Sequence, residues 1–174
     1  MSTEVKRFVQ IYTGNGKGKT TAAIGQVIRA AGAGLRTHFT MLMKEYPYSE
    51  VAVLKHLSRW ITLEQVGDDT FVLEKRPPSE KDRSRAAAAL EQARMAMLSG
   101  EYDIIVLDEV CVAHYFKLVS TDALLRLLTE RPPEVELILT GRYCPAEWRA
   151  QADLVTEMTE EKHYYSAEIG RAHV

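Results

Sequence analysis

The stretch from Ile11 to Thr21, IYTGNGKGKTT, constrains this chain more than any other. An apolar run meets a glycine-rich turn, and Lys-Thr-Thr then opens a helical pattern. Strand, turn and helix in that order form the layout of a loop that wraps the phosphates of a nucleotide. Gly14, Gly16 and Gly18 permit positive φ and close backbone approach. Successive N–H groups can then point at phosphate oxygens, with the positive end of a helix behind them. Lys19 supplies a point charge for the phosphates, Thr20 a hydroxyl for Mg²⁺, and Thr21 a further donor. The whole turn, Thr13, Gly14, Asn15, Gly16, Lys17, Gly18, Lys19, Thr20 and Thr21, is therefore a candidate ATP site. Counted back from Gly18, the G-x-x-x-x-G-K-[ST] pattern has its first glycine at position 13, where this chain has Thr13. The loop is a variant. The competing reading, a turn that binds nothing, has no use for Lys-Thr-Thr.

Around this loop the chain alternates between two periodicities. Apolar strand patterns stand at Phe8 to Tyr12, Arg36 to Met43, Ile61 to Val66, Tyr102 to Leu107, Val135 to Thr140 and Asp153 to Met158. Helical patterns fall between them, at Thr20 to Ala33, Glu50 to Arg59, Ser79 to Ser99, Ser120 to the Pro132-Pro133 step, and Pro145 to Gln151. Ser79 stands as an N-cap with Asp82 three residues on, a capping-box spacing. Ile61 to Val66 alternates apolar and polar residues as a strand at a sheet margin does, whereas YDIIVL is almost continuously apolar, as in a parallel strand covered on both faces. Gly67 to Pro78 has no period and is expected to be a functional loop. Such alternation predicts a three-layer α/β fold with a mainly parallel central sheet. With no internal repeat and no linker, a single domain over 1–174 is expected, a size that buries a full core.

The second chemical signal is IIVLDE. Asp108 and Glu109 follow a buried strand directly, at the sheet edge where ligands of open α/β folds sit. One of the two carboxylates, Glu109 by preference, is expected at Mg²⁺ together with Thr20. Lys17, Lys19, Arg29, Lys44 and Arg142 are the cations available to a polyphosphate. Arg142 follows VELILT and so falls on the same edge, whereas Arg29 taken alone reads as a surface residue. His114 stands in VAHYF without a second ligand at metal-site spacing, and it is expected in a loop. Tyr115, Phe116 and Phe71 are core, or else they line an apolar face beside the nucleotide. Nothing in the chain reads as a Ser/His/Asp or Cys/His nucleophile.

Composition excludes other classes. A net charge of −2 gives no footprint for nucleic-acid binding. No apolar run approaches the ~20 residues of a membrane span. MSTEVKRF has no secretory h-region, so a cytoplasmic protein is expected. The two cysteines, Cys111 and Cys144, are expected as reduced thiols and are too few for a cysteine zinc site.

Taken in order, TGNGKGKTTAAIG, RAAGAGLR, YDIIVLDE, LILTGR and the His163-Tyr164-Tyr165 tail closely resemble the ATP:corrinoid adenosyltransferase family of cobalamin biosynthesis, at similar spacing over nearly the whole chain. The resemblance implies a RecA-like P-loop fold, usually as a homodimer. It implies transfer of the 5′-deoxyadenosyl group of ATP to cobalt(I) of a corrinoid, such as cobyrinic acid diamide or cobalamin, with release of triphosphate. It further implies ATP held with its γ-phosphate where a β-phosphate normally lies, and an electron-donor protein or reductant as partner. Asn15 to Thr21 would hold the triphosphate, Thr20 and Glu109 the Mg²⁺, and Arg29 and Arg142 would contact ATP, with Lys19 and Arg142 stabilising the leaving group. Family members displace the lower cobalt ligand with apolar or aromatic residues. Some carry Gly-Thr-Gly-Phe-x-Trp in the loop where this chain has GDDTFVLE, which leaves Phe71 as the candidate corrinoid contact. The competing functions are a RecA-like ATPase, in which Glu109 activates water, and a small-molecule kinase.

Overall fold

The computed structural model of the chain describes residues 6–162. The His163-Tyr164-Tyr165 and EIGRAHV segments lie outside that range. Six strands form one sheet: β1 (Val9–Thr13), β2 (Thr37–Leu42), β3 (Ile61–Val66), β4 (Ile104–Asp108), β5 (Glu136–Thr140) and β6 (Leu154–Glu157), in the spatial order β3-β2-β4-β5-β1-β6. Every pairing is parallel. The expected mainly parallel sheet is thus parallel throughout, and all its strands end at one edge. One strand, β5, separates β1 from β4.

The helices are α1 (Lys19–Gly32), α2 (Ser49–His56), α3 (Thr70–Leu73), α4 (Glu80–Leu98), α5 (Val110–Tyr115), α6 (Thr121–Glu130) and α7 (Ala146–Gln151). Two apolar clusters show how they are layered. Ile105 and Leu107 of β4 pack with α4, α5 and α6 residues such as Ala93, Val110 and Leu124, while Ile104 and Val106 pack with Ala23 and Val27 of α1 and Leu54 of α2. Alternate residues of one strand therefore feed opposite cores, which is why its sequence is apolar without a break. β3 lies at one margin, as its alternation predicts, and β6 at the other, with its residues exposed.

The Ser79 cap is present in full. Its hydroxyl accepts from the Asp82 amide, and the Asp82 carboxylate accepts from the Ser79 amide. The stripe Ala86, Ala89, Leu90, Ala93 and Met97 is the buried face of α4. Ser79→Ala is expected to cost about 1 kcal/mol of stability in a urea titration, the usual worth of such a cap. An unchanged midpoint would show that packing alone starts α4.

Two expectations are corrected. The stretch from Gly67 to Pro78 is not loop throughout, because α3 makes one turn inside it. His114 is not on a loop: it lies on α5, bonded through Nε2 to Thr121 Oγ1 at 2.9 Å and packed edge-on to Trp148. Burial pushes its imidazole below the ordinary pKa, consistent with a neutral packed side chain. Among the described residues no three His, Cys, Asp or Glu side chains gather as a metal cluster, and no helix is long and apolar enough to cross a membrane.

Candidate active site

Because the sheet is parallel, the loop after β1 and the residues that end β2, β4 and β5 converge. The phosphate loop runs from Thr13 into α1, which begins at Lys19. Thr13 itself is 2 % exposed and donates its hydroxyl to the Gly141 carbonyl at 2.8 Å, while the Gly141 amide donates to Tyr12 O. That accounts for the departure from the glycine pattern. The side chain at position 13 ties the start of the loop to the turn after β5, and its hydroxyl is spent on that tie rather than open to ATP.

The far side of the loop rests on the end of β6. The Gly16 amide donates to Met158 O at 2.7 Å, and the Met158 amide to Thr13 O at 2.8 Å. A Cβ on Gly14 would stand 2.3 Å from Met158 O, and one on Gly16 would stand 2.7 Å from Thr159 O. These glycines are needed for packing against β6 as well as for any ligand. Gly14 also has φ +95°, a conformation strained for any other residue. Gly14→Ala is expected to destabilise the fold by about 2 kcal/mol or more, read as a lowered urea midpoint. An unchanged midpoint would contradict the close contact with Met158.

Lys19 is 7 % exposed, and its Nζ donates to Gly16 O at 2.6 Å, so its ammonium curls back over the loop. Burial lowers its pKa, an effect that the Glu109 carboxylate partly offsets.

Five side chains meet beside it: Thr20, Lys44, Asp108, Glu109 and Thr140. Asp108, the last residue of β4, is fully buried. Its Oδ1 accepts from Thr20 Oγ1 at 2.9 Å and from Thr140 Oγ1 at 2.6 Å, and its Oδ2 from Lys44 Nζ at 2.7 Å. Thr140, ending β5, in turn accepts from the Glu109 amide at 2.9 Å. Glu109 has φ 61°, a left-handed conformation uncommon for a non-glycine residue. Its carboxylate lies 3.8 Å from Lys44 Nζ. Burial and the neighbouring Asp108 raise its pKa above the ordinary carboxylate range. Burial acts to lower the Lys44 ammonium, but Asp108 and Glu109 outweigh it and the net shift is upward. Arg142, just past β5, is close enough to act on both Lys19 and Glu109. The arrangement is a largely buried, acid-rich seat already holding a positive charge, set against the glycine-rich loop after β1. Its donor set of one hydroxyl and two carboxylates suits Mg²⁺, which prefers oxygen ligands.

The fold thus brings Lys19, Thr20, Asp108, Glu109 and Arg142 together, with Asn15 and Lys17 exposed on the loop and Thr21 exposed on the first turn of α1. It does not bring Arg29. That residue is exposed in the last turn of α1, roughly 15 Å along the axis from the loop. Phe71 lies beside Leu42, Met43 and Val66 at the ends of β2 and β3, but it is turned into the core. It is 1 % exposed and packs edge-on to Phe116 at 5.5 Å. As placed, it offers no face to a corrinoid. The aromatic surface that does stand open is Tyr115 stacked on Tyr143 at 4.2 Å, next to Arg142. Sequence reasoning missed Thr140 entirely and gave Lys44 no particular place, although Lys44 follows the end of β2 on the ligand edge.

The family model described as ATP:corrinoid adenosyltransferase BtuR/CobO/CobP matches residues 5–173. The corrinoid adenosyltransferase of Escherichia coli K12 is 29% identical, covering 91% of this chain and 80% of that protein. The corrinoid adenosyltransferase CobA of Salmonella typhimurium LT2 is 28% identical, covering 95% and 83%. An uncharacterized protein of Nostoc sp. PCC 7120 is 33% identical over 92% of this chain, which spans only 46% of the Nostoc protein.

Proposed function

Because this chain belongs to the ATP:corrinoid adenosyltransferase family, we propose that it transfers the 5′-deoxyadenosyl group of ATP to cobalt(I) of a corrinoid and releases triphosphate. The observation that carries this reading is the convergence of Lys19, Thr20, Asp108, Glu109 and Arg142 at one sheet edge with no protein nucleophile among them. Reduced cobalt supplies the nucleophile, so the protein has two tasks: to hold C5′ in line and to stabilise the polyphosphate as it departs.

The Lys19 ammonium and the loop amides other than that of Gly16, which donates to Met158 O, face the triphosphate. Lys19 leaves Gly16 O to do so, and Arg142 supplies a second positive charge. Thr20, Asp108 and Glu109 would hold Mg²⁺, which neutralises charge on the leaving group when bound. The Tyr115–Tyr143 stack, open beside Arg142, is a better candidate than buried Phe71 for an apolar contact with the corrinoid. The reductant that delivers cobalt(I) is an external partner. A homodimer and a cytoplasmic location complete the reading, on the family resemblance and the plain composition respectively.

Oxygen-free incubation with ATP, Mg²⁺, cob(II)alamin and a strong reductant tests it through the visible spectrum of the corrinoid. Formation of a light-sensitive alkyl corrinoid that requires both ATP and protein is expected. No ATP-dependent spectral change with either cobalamin or a cobyrinic acid derivative would overturn the proposal.

A further inference from the structure

We propose that Lys44 is a built-in cation at the metal seat: its ammonium occupies the position between Thr20, Asp108 and Glu109, and a divalent ion binds there only by displacing it onto the polyphosphate. The inference rests on reading those three residues as the Mg²⁺ seat, and the experiment below separates the failure of one from the failure of the other.

Lys44 Nζ lies 2.9 Å from Thr20 Oγ1, 2.7 Å from Asp108 Oδ2 and 3.8 Å from Glu109 Oε1. These are the oxygens a divalent ion would need, and the ammonium donates to Thr20 and Asp108 while its charge faces Glu109. The two cations compete for one set of ligands. Without Lys44, two neighbouring carboxylates, one of them fully buried, would keep only the charges of Lys19 and Arg142 to offset them, with no cation in direct contact with Asp108. Lys44 removes that cost and keeps the seat assembled.

The backbone around Lys44 is fixed. The Gln65 side-chain amide donates to Lys44 O at 2.7 Å, the Met43 amide to Val66 O, and the Glu45 amide to Gly67 O. Met43 has φ 59°, a left-handed turn for a non-glycine residue at the point where the chain leaves β2. Displacement is therefore confined to the flexible side chain, which passes the Tyr48 ring at 5.8 Å. A free divalent ion must expel this ammonium with nothing to receive it. An ion arriving on ATP brings the receiving charge with it, because the triphosphate gives Lys44 a new anionic partner. The consequence is a site that takes up metal with nucleotide and resists metal alone.

The test is Mn²⁺ binding, followed by electron paramagnetic resonance of the free ion, for wild type, Lys44→Met and Glu109→Gln, each with and without ATP. Lys44→Met is expected to bind Mn²⁺ without nucleotide at least tenfold more tightly than wild type, and to bind Mn²⁺–ATP more weakly. Equal Mn²⁺ affinity of wild type and Lys44→Met without nucleotide overturns the displacement, while the seat stands if Glu109→Gln still weakens Mn²⁺–ATP binding. Mn²⁺–ATP affinity unchanged in Glu109→Gln overturns the seat and this inference with it. Should Lys44→Met fail to fold, wild-type protein labelled at lysine Cε answers the question by nuclear magnetic resonance. The Lys44 signal is expected to shift on saturation with Mg²⁺–ATP, and an unmoved signal overturns the proposal.

Discussion

Lys19→Ala is expected to lower the rate of adenosyl transfer by about 10²–10³-fold, the usual cost of removing one preorganised donor from a developing negative charge. Lys19 is the buried cation of the phosphate loop, and its Nζ already sits within the loop at 2.6 Å from Gly16 O. In the proposed transfer the leaving triphosphate would gain charge as the C5′–O bond breaks, and the Lys19 ammonium, turned from Gly16 O to phosphate, would stabilise that state more than the ground state. Fold loss would not explain the defect. Alanine is the best helix former at the first position of α1, and the Gly16 carbonyl gives up a partner that it loses in any case when phosphate binds. Corrinoid binding is expected to survive, because it does not draw on the loop. Assays of transfer rate alongside thermal melts decide the matter. Near-wild-type activity in Lys19→Ala would place the triphosphate elsewhere.

The second large effect is on stability and metal together. Asp108→Ala is expected to destabilise the protein by about 3–5 kcal/mol, the range for removing one partner of a buried ion pair. Asp108 is the hub that joins four elements: Thr20 from α1, Thr140 from β5, Lys44 from the exit of β2, and its own strand β4. Its truncation leaves the Thr20 and Thr140 hydroxyls without that acceptor and takes from the Lys44 ammonium its shortest partner, leaving it Thr20 Oγ1 and, at 3.8 Å, Glu109. On the proposed Mg²⁺ seat the same change removes a ligand, so the residual activity should need far more Mg²⁺. Urea unfolding gives the first number and a Mg²⁺ titration the second. A loss under about 1 kcal/mol would mean that Lys44 simply turns out to water and that the network adds little.

Much of this was legible in the sequence where the cause is local. The Ser79–Asp82 box lies within four residues, and the α4 stripe follows from helical period alone. GNGKGKTT and VLDE name the loop and the acidic pair because each motif carries its own strand context. What was not legible is long-range or too short to have a period. Thr13 looked like a blemish because its partner, Gly141, is 128 residues away. Lys44 meets Asp108 across 64 residues, and nothing near either position announces it. α5 has six residues, begins after a left-handed Glu109 with no side-chain cap, and so left His114 looking like a loop residue. α3 is a single turn, too short for amphipathic spacing, and the burial of Phe71 against Phe116 comes from that turn. Arg29 matches a family segment in sequence, yet helix geometry carries it to the far end of α1.

The central claim is that the phosphate loop and its acidic seat hold a triphosphate as a leaving group, with bond breaking at C5′ of the ribose. Phosphorus resonance of the products, from an oxygen-free reaction with ATP, Mg²⁺, a corrinoid and reductant, tests that claim most directly. Intact triphosphate formed one for one with adenosylated corrinoid, and none formed when corrinoid is omitted, is the predicted result. ADP and phosphate released at the same rate without corrinoid would contradict it and make the site that of an ATPase.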